Sequence, residues 1–232
     1  MATATVPRSA TAVRDLLLVG LTFSSGAIDA IAFLGLGKIF TAFQTGNLVF
    51  LGIGLADAGG PKVVRATGSL LCFAAGVTLA TRIVRASQGS GVWPARVSLT
   101  LGLAWLVQVV FAVVWAAGSG RPDAGWTEAL LALSALAMGM QSGAILSLGV
   151  TGVFTTAATA TVMFLMRDEA EESTAPSGEQ ARFARVLVAL VAGAAAGGLL
   201  LGHARAWAPV LPLAATGAVL AAALSAFPVA RG

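Results

Sequence analysis

The chain has 232 residues, 57% of them hydrophobic and only 10% charged, with a mean hydropathy of +0.89. A water-soluble domain carries about 25% charged residues, so the composition excludes an ordinary soluble enzyme and makes a bilayer the solvent. The net charge of +4 comes from 14 Lys and Arg scattered through polar segments. That pattern fits basic loops beside membrane helices and argues against a nucleic-acid partner, which would need a stripe of charge with interleaved aromatics.

In chain order, residues 1–13 read as a disordered tail. The run that follows is longer than the core of a signal peptide and precedes further apolar runs, so it is read as a first span. Apolar runs cover 16–36, 39–56, 66–84, 97–117, 128–148, 152–166, 183–202 and 208–227. A spanning helix needs about 20 apolar residues, so these lengths predict helices rather than strands. The expected fold is an all-α integral membrane protein of 6–8 transmembrane segments in a bacterial inner membrane. Its second and sixth segments are short or discontinuous, and the bilayer itself is the principal partner.

Placed against itself with a shift of 114, the sequence matches Ala30 with Ala144, Ile31 with Ile145, Leu34 with Leu148, Gly35 with Gly149, Phe40 with Phe154, Thr41 with Thr155 and Thr45 with Thr159. This predicts two related halves, 14–117 and 127–228. The connector 118–126 is rich in Gly, Pro and Asp, and 167–182 is an acidic loop.

If all eight runs cross, the halves are parallel; if the second and sixth are re-entrant, each half crosses three times and the halves are inverted. Either count leaves nine Lys and Arg on the side of the N-terminus and five on the other, which places the N-terminus in the cytoplasm without deciding between them.

Asp29 is the charge inside the first run. Thr22, Ser25 and Gly26 precede it by seven, four and three residues and share its helical face. A central aspartate costs roughly 2.5–3.5 kcal/mol on insertion scales, so it needs a partner, a proton or a water-filled cavity. Gln44, Thr45, Gly46 and Asn47 supply amides, a hydroxyl and a weak helix former where a membrane helix could unwind around a solute. Ser25 beside Asp29, the corresponding positions of the second half, Thr159 and Thr161, and Gln141 ahead of them complete the expected substrate or ion site. Asp29 falls opposite Gly143, so that site is asymmetric in charge.

Packing is the competing reading of these residues: an interhelical aspartate, and Thr, Gly and Asn that let helices approach. Gly193, Gly197 and Gly198 read as helix contact, and Trp93, Trp126 and Trp207 as interfacial anchors. Cys72 is the single cysteine and His203 the single histidine, so neither a disulfide nor a metal centre is expected. With no nucleophile elbow, phosphate loop or HExxH helix, neither catalysis nor a cofactor is expected.

Gly26-x-x-Asp29-Ala30 followed by Phe40-x-x-x-x-Thr45-Gly46-Asn47 resembles the signature of the YoaK-type bacterial membrane proteins, a domain family of unknown function. The resemblance covers nearly the whole chain, with Thr159-Ala160 departing from a second Thr-Gly. It implies a fold and a membrane location but no substrate.

Two functions compete at this point. A permease or proton-coupled transporter of a small solute predicts a polar mid-depth cavity lined by Asp29, Gln44, Thr45 and Asn47. A membrane interaction or assembly protein predicts a closed bundle with those residues paired. A homo-oligomer is compatible with both.

Overall fold

Long runs of Ala, Leu, Val and Gly with very little interior charge leave the backbone to satisfy its own hydrogen bonds, which in a bilayer means helix. The computed structural model describes residues 8–86, 91–150, 161–163, 166 and 178–228. Its helices are α1 (Arg8–Gly35), α2 (Gln44–Leu55), α3 (Val63–Arg85), α4 (Ala95–Ala117), α5 (Ala124–Leu146), α6 (Gly178–His203) and α7 (Val210–Ala226), with a 3-10 turn at Arg205–Trp207. Six of them, all but α2, are long and apolar enough to cross a bilayer. At 12 residues α2 is about 18 Å long, well short of a hydrocarbon core of about 30 Å. Run 152–166 lies mostly outside the described residues.

Two expectations change. The helix starts at Arg8 rather than after residue 13, because Ala10, Ala12 and Val13 continue the apolar run and no Pro or Gly interrupts it. Trp93 is buried, stacks on Phe227 and donates its indole N–H to Ser98 Oγ at 2.9 Å, so it is a packing residue rather than an interfacial anchor. Trp126 and Trp207 are exposed.

α1 ends in a Schellman motif. Gly37 takes φ +92°, which a residue with a Cβ rarely adopts, and Lys38 N–H donates to Phe33 O at 3.0 Å. The chain then folds back on itself before α2.

Contacts between helices fix their directions. α6 runs parallel to α1, with Gly193 against Phe23 and Gly197 against Ala27, while Gly26 abuts the Leu190 carbonyl. α3 runs parallel to α5 in the same manner, through Gly76 on Leu136, Gly139 on Phe73 and Gly143 on Val77. A Cβ at any of these glycines would overlap backbone, so small residues set how closely each pair packs. α5 is antiparallel to α1, since Gln141 meets Leu21 while Ser134 meets Thr41, which is bonded to Asp29 further along α1. α7 is antiparallel to α1 and to α4, through Ser24 on Thr216 and Trp105 on Leu213. The spans therefore run up, down, up, then down, up, down.

The bundle divides into two bodies, α1 with α6 and α7, and α5 with α3 and α4; they meet where α1 nears α5 and α4 nears α7. Each parallel pair carries an ion pair at its N-terminal end, on opposite faces of the bundle. Arg65 Nε lies 2.9 Å from Glu128 Oε1 between α3 and α5, and Arg182 Nη1 lies 3.6 Å from Asp15 Oδ2 between α6 and α1. α1 and α5 are the most buried spans, 61% and 67% against 22–39% for the other four, so they form the centre.

Candidate functional site

Asp29 is buried more than three-quarters of the way along α1, and its main partners are backbone amides. Thr41 N–H and Ala42 N–H donate to Oδ1 at 2.7 and 2.8 Å, and Phe43 N–H donates to Oδ2 at 2.9 Å. For this to happen the chain must descend again after α1 ends, by about 9 Å if Asp29 lies six residues below Gly35. α2 then starts at depth and rises beside α3: Asn47 faces Ser69 near its start and Gly54 faces Val63 near its end. Residues 36–55 thus form a re-entrant hairpin with the positive end of the α2 dipole directed inward. The carboxylate compensates that end and satisfies three amides that no water would reach. Hydrogen bonds to a charged group of this kind contribute about 1.5–3 kcal/mol each.

Asn47, fully buried, does the same for the descending strand. Its Oδ1 accepts from Phe40 N–H at 3.0 Å and its Nδ2 donates to Phe40 O at 2.7 Å, so the side chain pairs with the backbone as a neighbouring strand would. Gln44 Nε2 donates to Thr41 O at 2.8 Å, and Gln44 Oε1 accepts from Asn47 Nδ2 at 2.8 Å. Ser69 of α3 donates to Phe40 O at 2.8 Å, and Ser134 of α5 donates to Thr41 Oγ1 at 2.9 Å. A Cβ on Gly46 would press on the rings of Phe40 and Phe43 at 3.0 Å, so the glycine admits this aromatic cluster. Thr45 faces outward and is exposed.

The structure therefore brings together Asp29, Gln44, Gly46 and Asn47, but as anchors of the hairpin. Asp29 lines neither of the two grooves found among the described residues. Thr45 is excluded from the group because it lies two positions from Asn47 on a helix, and residues at that spacing point in different directions. Two surface grooves lie elsewhere. One of about 460 Å³ between α4 and α7 is lined by Leu99, Gly102, Trp105 and Leu220, and one of about 450 Å³ flanks the α4–α5 turn. Thr159 is outside the described residues; Thr161 is buried in a helical segment.

A second polar group lies deeper. The apolar core is split into two main clusters. The one nearer the hairpin includes Ile28 and Ile31 of α1, Phe111 and Trp115 of α4, Ala137 and Met138 of α5, and Ala208. The one nearer the N-terminus includes Leu18 and Leu21 of α1, Val97 and Leu101 of α4, Ala144 and Ile145 of α5, and Val219 and Ala223 of α7. Between these levels the four helices place Ser24 and Ser25, Gln108, Gln141 and Thr216, all buried. This is a polar waist at mid-depth, built by both bodies.

The pairing in the waist is uneven. Ser24 Oγ pairs with Thr216 Oγ1 at 2.8 Å and donates to Pro212 O at 3.0 Å. Ser25 donates to Leu21 O and accepts from Gln141 Nε2 at 3.0 Å. Gln141 Oε1 and both polar atoms of Gln108 have no hydrogen-bond partner among the described residues. An unsatisfied buried polar group costs about 1–3 kcal/mol, so these three atoms stand out from the hairpin, where the polar side chains are engaged. Ser25 and Gln141 belong to the expected site. Gln108 and Thr216 do not, although Gln108 is the single amide within run 97–117 and is legible by the logic that singles out Asp29.

Comparison with known proteins agrees with the fold and adds no activity. The chain is 32% identical over 160 residues to the UPF0700 transmembrane protein YoaK of Bacillus subtilis (strain 168), an alignment covering 69% of each chain. No solved structure matches. The family described as a protein of unknown function, DUF1275, matches residues 17–223, and this polytopic membrane protein belongs to that family.

Proposed function

We propose that the protein is a permease that moves a small solute by rocking two three-helix bodies about the waist between them. The observation that carries this reading is the waist itself, a layer of Ser24, Ser25, Gln108, Gln141 and Thr216 at mid-depth, sealed above and below by apolar clusters. Polar groups buried in a membrane bundle commonly mark a substrate path, and a layer closed on both sides has the form of an occluded state.

The same proposal takes the two halves as inverted repeats. Shifted by 114, the bounds of α1, α3 and α4 become 122–149, 177–199 and 209–231, beside α5 at 124–146, α6 at 178–203 and α7 at 210–226. Each body then draws helices from both halves. The excess of basic residues on its side supports an N-terminus in the cytoplasm of a bacterial inner membrane.

Coupling to protons through Asp29 is the less supported variant, because its oxygens already receive three amides. A non-transporting interaction or assembly protein is the second reading, and that closed pairing of Asp29 and Asn47 is what favours it.

The test uses Thr41→Cys with Ser134→Cys in a Cys72→Ala background, since the two hydroxyls lie 2.9 Å apart between α5 and the hairpin segment that Asp29 fastens to α1. Purified protein in liposomes is screened for solute uptake with and without a pH gradient. Flux that stops on oxidation and returns on reduction supports rocking. Flux indifferent to the cross-link, or absent for every solute, overturns it.

A further inference from the structure

The chemistry of the waist narrows what could pass. On α4, Gln108 occupies the stripe that carries Leu101 into one apolar cluster and Phe111 and Trp115 into the other, so its side chain belongs to the central seam. Only 5% exposed, it has no hydrogen-bond partner for its Nε2 donor or its Oε1 acceptor among the described residues. Gln141 on α5, the centre helix of the same body, is fully buried, with its Nε2 spent on Ser25 and Leu21 and its Oε1 without a hydrogen-bond partner among the described residues. The hydroxyls of Ser24, Ser25 and Thr216 are taken by one another or by backbone, so they shape the walls.

No ionisable side chain enters this layer among the described residues. The nearest, Asp29, lies one turn above Ser25 with its oxygens turned to the hairpin amides. A bare cation would find two free amide oxygens where about six ligands are usual, and an anion would find no positive charge to offset its desolvation.

Resting on the permease reading, we propose that the waist binds a small uncharged solute that offers one acceptor to Gln108 Nε2 and N–H or O–H donors to the Oε1 atoms of Gln108 and Gln141. Urea, simple primary amides and short polyols have this character; inorganic ions and charged amino acids do not. The two glutamines act as binding residues, and discrimination arises because the wrong solute leaves their buried polar atoms unpaired.

Stopped-flow light scattering on proteoliposomes, with urea, acetamide and glycerol as probes and potassium and chloride conductance measured alongside, tests this. The expected result is faster equilibration of at least one neutral probe than in protein-free vesicles, without ion conductance. Gln108→Leu and Gln141→Leu each slow that flux by about tenfold, the worth of one or two hydrogen bonds. Thermal midpoints in detergent accompany the flux. Gln108→Leu raises the midpoint if the protein folds as described, so lost flux is not lost fold.

Neutral flux that both variants leave intact overturns the assignment to these residues. Flux of ions alone overturns the solute class while leaving a permease standing. Silence toward every probe in folded protein overturns both.

Discussion

The hairpin and the waist are both polar regions within an apolar bundle, and they differ in what satisfies them. At the hairpin a carboxylate and two amides meet backbone groups that the break between α1 and α2 leaves open. In the waist, three amide atoms meet no group of the protein among the described residues. A saturated polar cluster holds a shape, whereas an unsaturated one retains capacity to bind. The charge that first draws notice thus belongs to architecture, and the less conspicuous glutamines are the better candidates for recognition.

The largest expected effect breaks the hairpin. Asp29→Ala strips acceptors from three buried amides and leaves the inward end of α2 uncompensated, which destabilises the fold by about 3 kcal/mol or more. Asp29→Asn behaves similarly, because its NH2 group would face an amide donor. Fluorescence-detected size exclusion after heating should show early loss of the monodisperse peak for both. A transporter in which Asp29 only carried a proton would instead remain stable and lose coupling.

The next effect has the opposite sign and falls on the waist. Gln108→Leu keeps the volume nearly constant and removes two unpaired polar atoms, so stability in detergent rises by about 1 kcal/mol. A fall in the thermal midpoint would mean that Gln108 has a structural partner, and the contrast between the two regions would collapse.

Most of the architecture is legible in the sequence because a bilayer leaves few options. Runs 66–84, 97–117 and 183–202 sit inside α3, α4 and α6 with bounds a few residues wider. The re-entrant course of the second run is only half legible: length hints at it, but the descent of residues 36–43 depends on Asp29 finding backbone amides, and a sequence pattern carries no record of backbone partners. For the same reason Asp29, Gln44 and Asn47 read as a solute site. The waist is hidden differently. Its members come from four helices over nearly two hundred residues, and only the crossing of those helices puts Ser24 beside Thr216.

The smallest expected effect separates neighbours within one motif. Thr45 and Asn47 are both polar residues of the same short helix, but Thr45 is exposed and Asn47 is fully buried with four hydrogen-bond contacts. Thr45→Val replaces a hydroxyl by a methyl at nearly equal volume on the outer face, where no packed neighbour is disturbed. Its stability should stay within about 0.5 kcal/mol of the parent protein, and any solute flux should be unchanged. Asn47→Leu at the adjacent face should lose about 2–3 kcal/mol, since Phe40 then has neither its acceptor nor its amide donor. A matched pair of thermal midpoints decides the point: equal losses would mean that Thr45 also grips the hairpin, and that the motif acts as one polar surface rather than as a buried anchor beside an outward-facing residue.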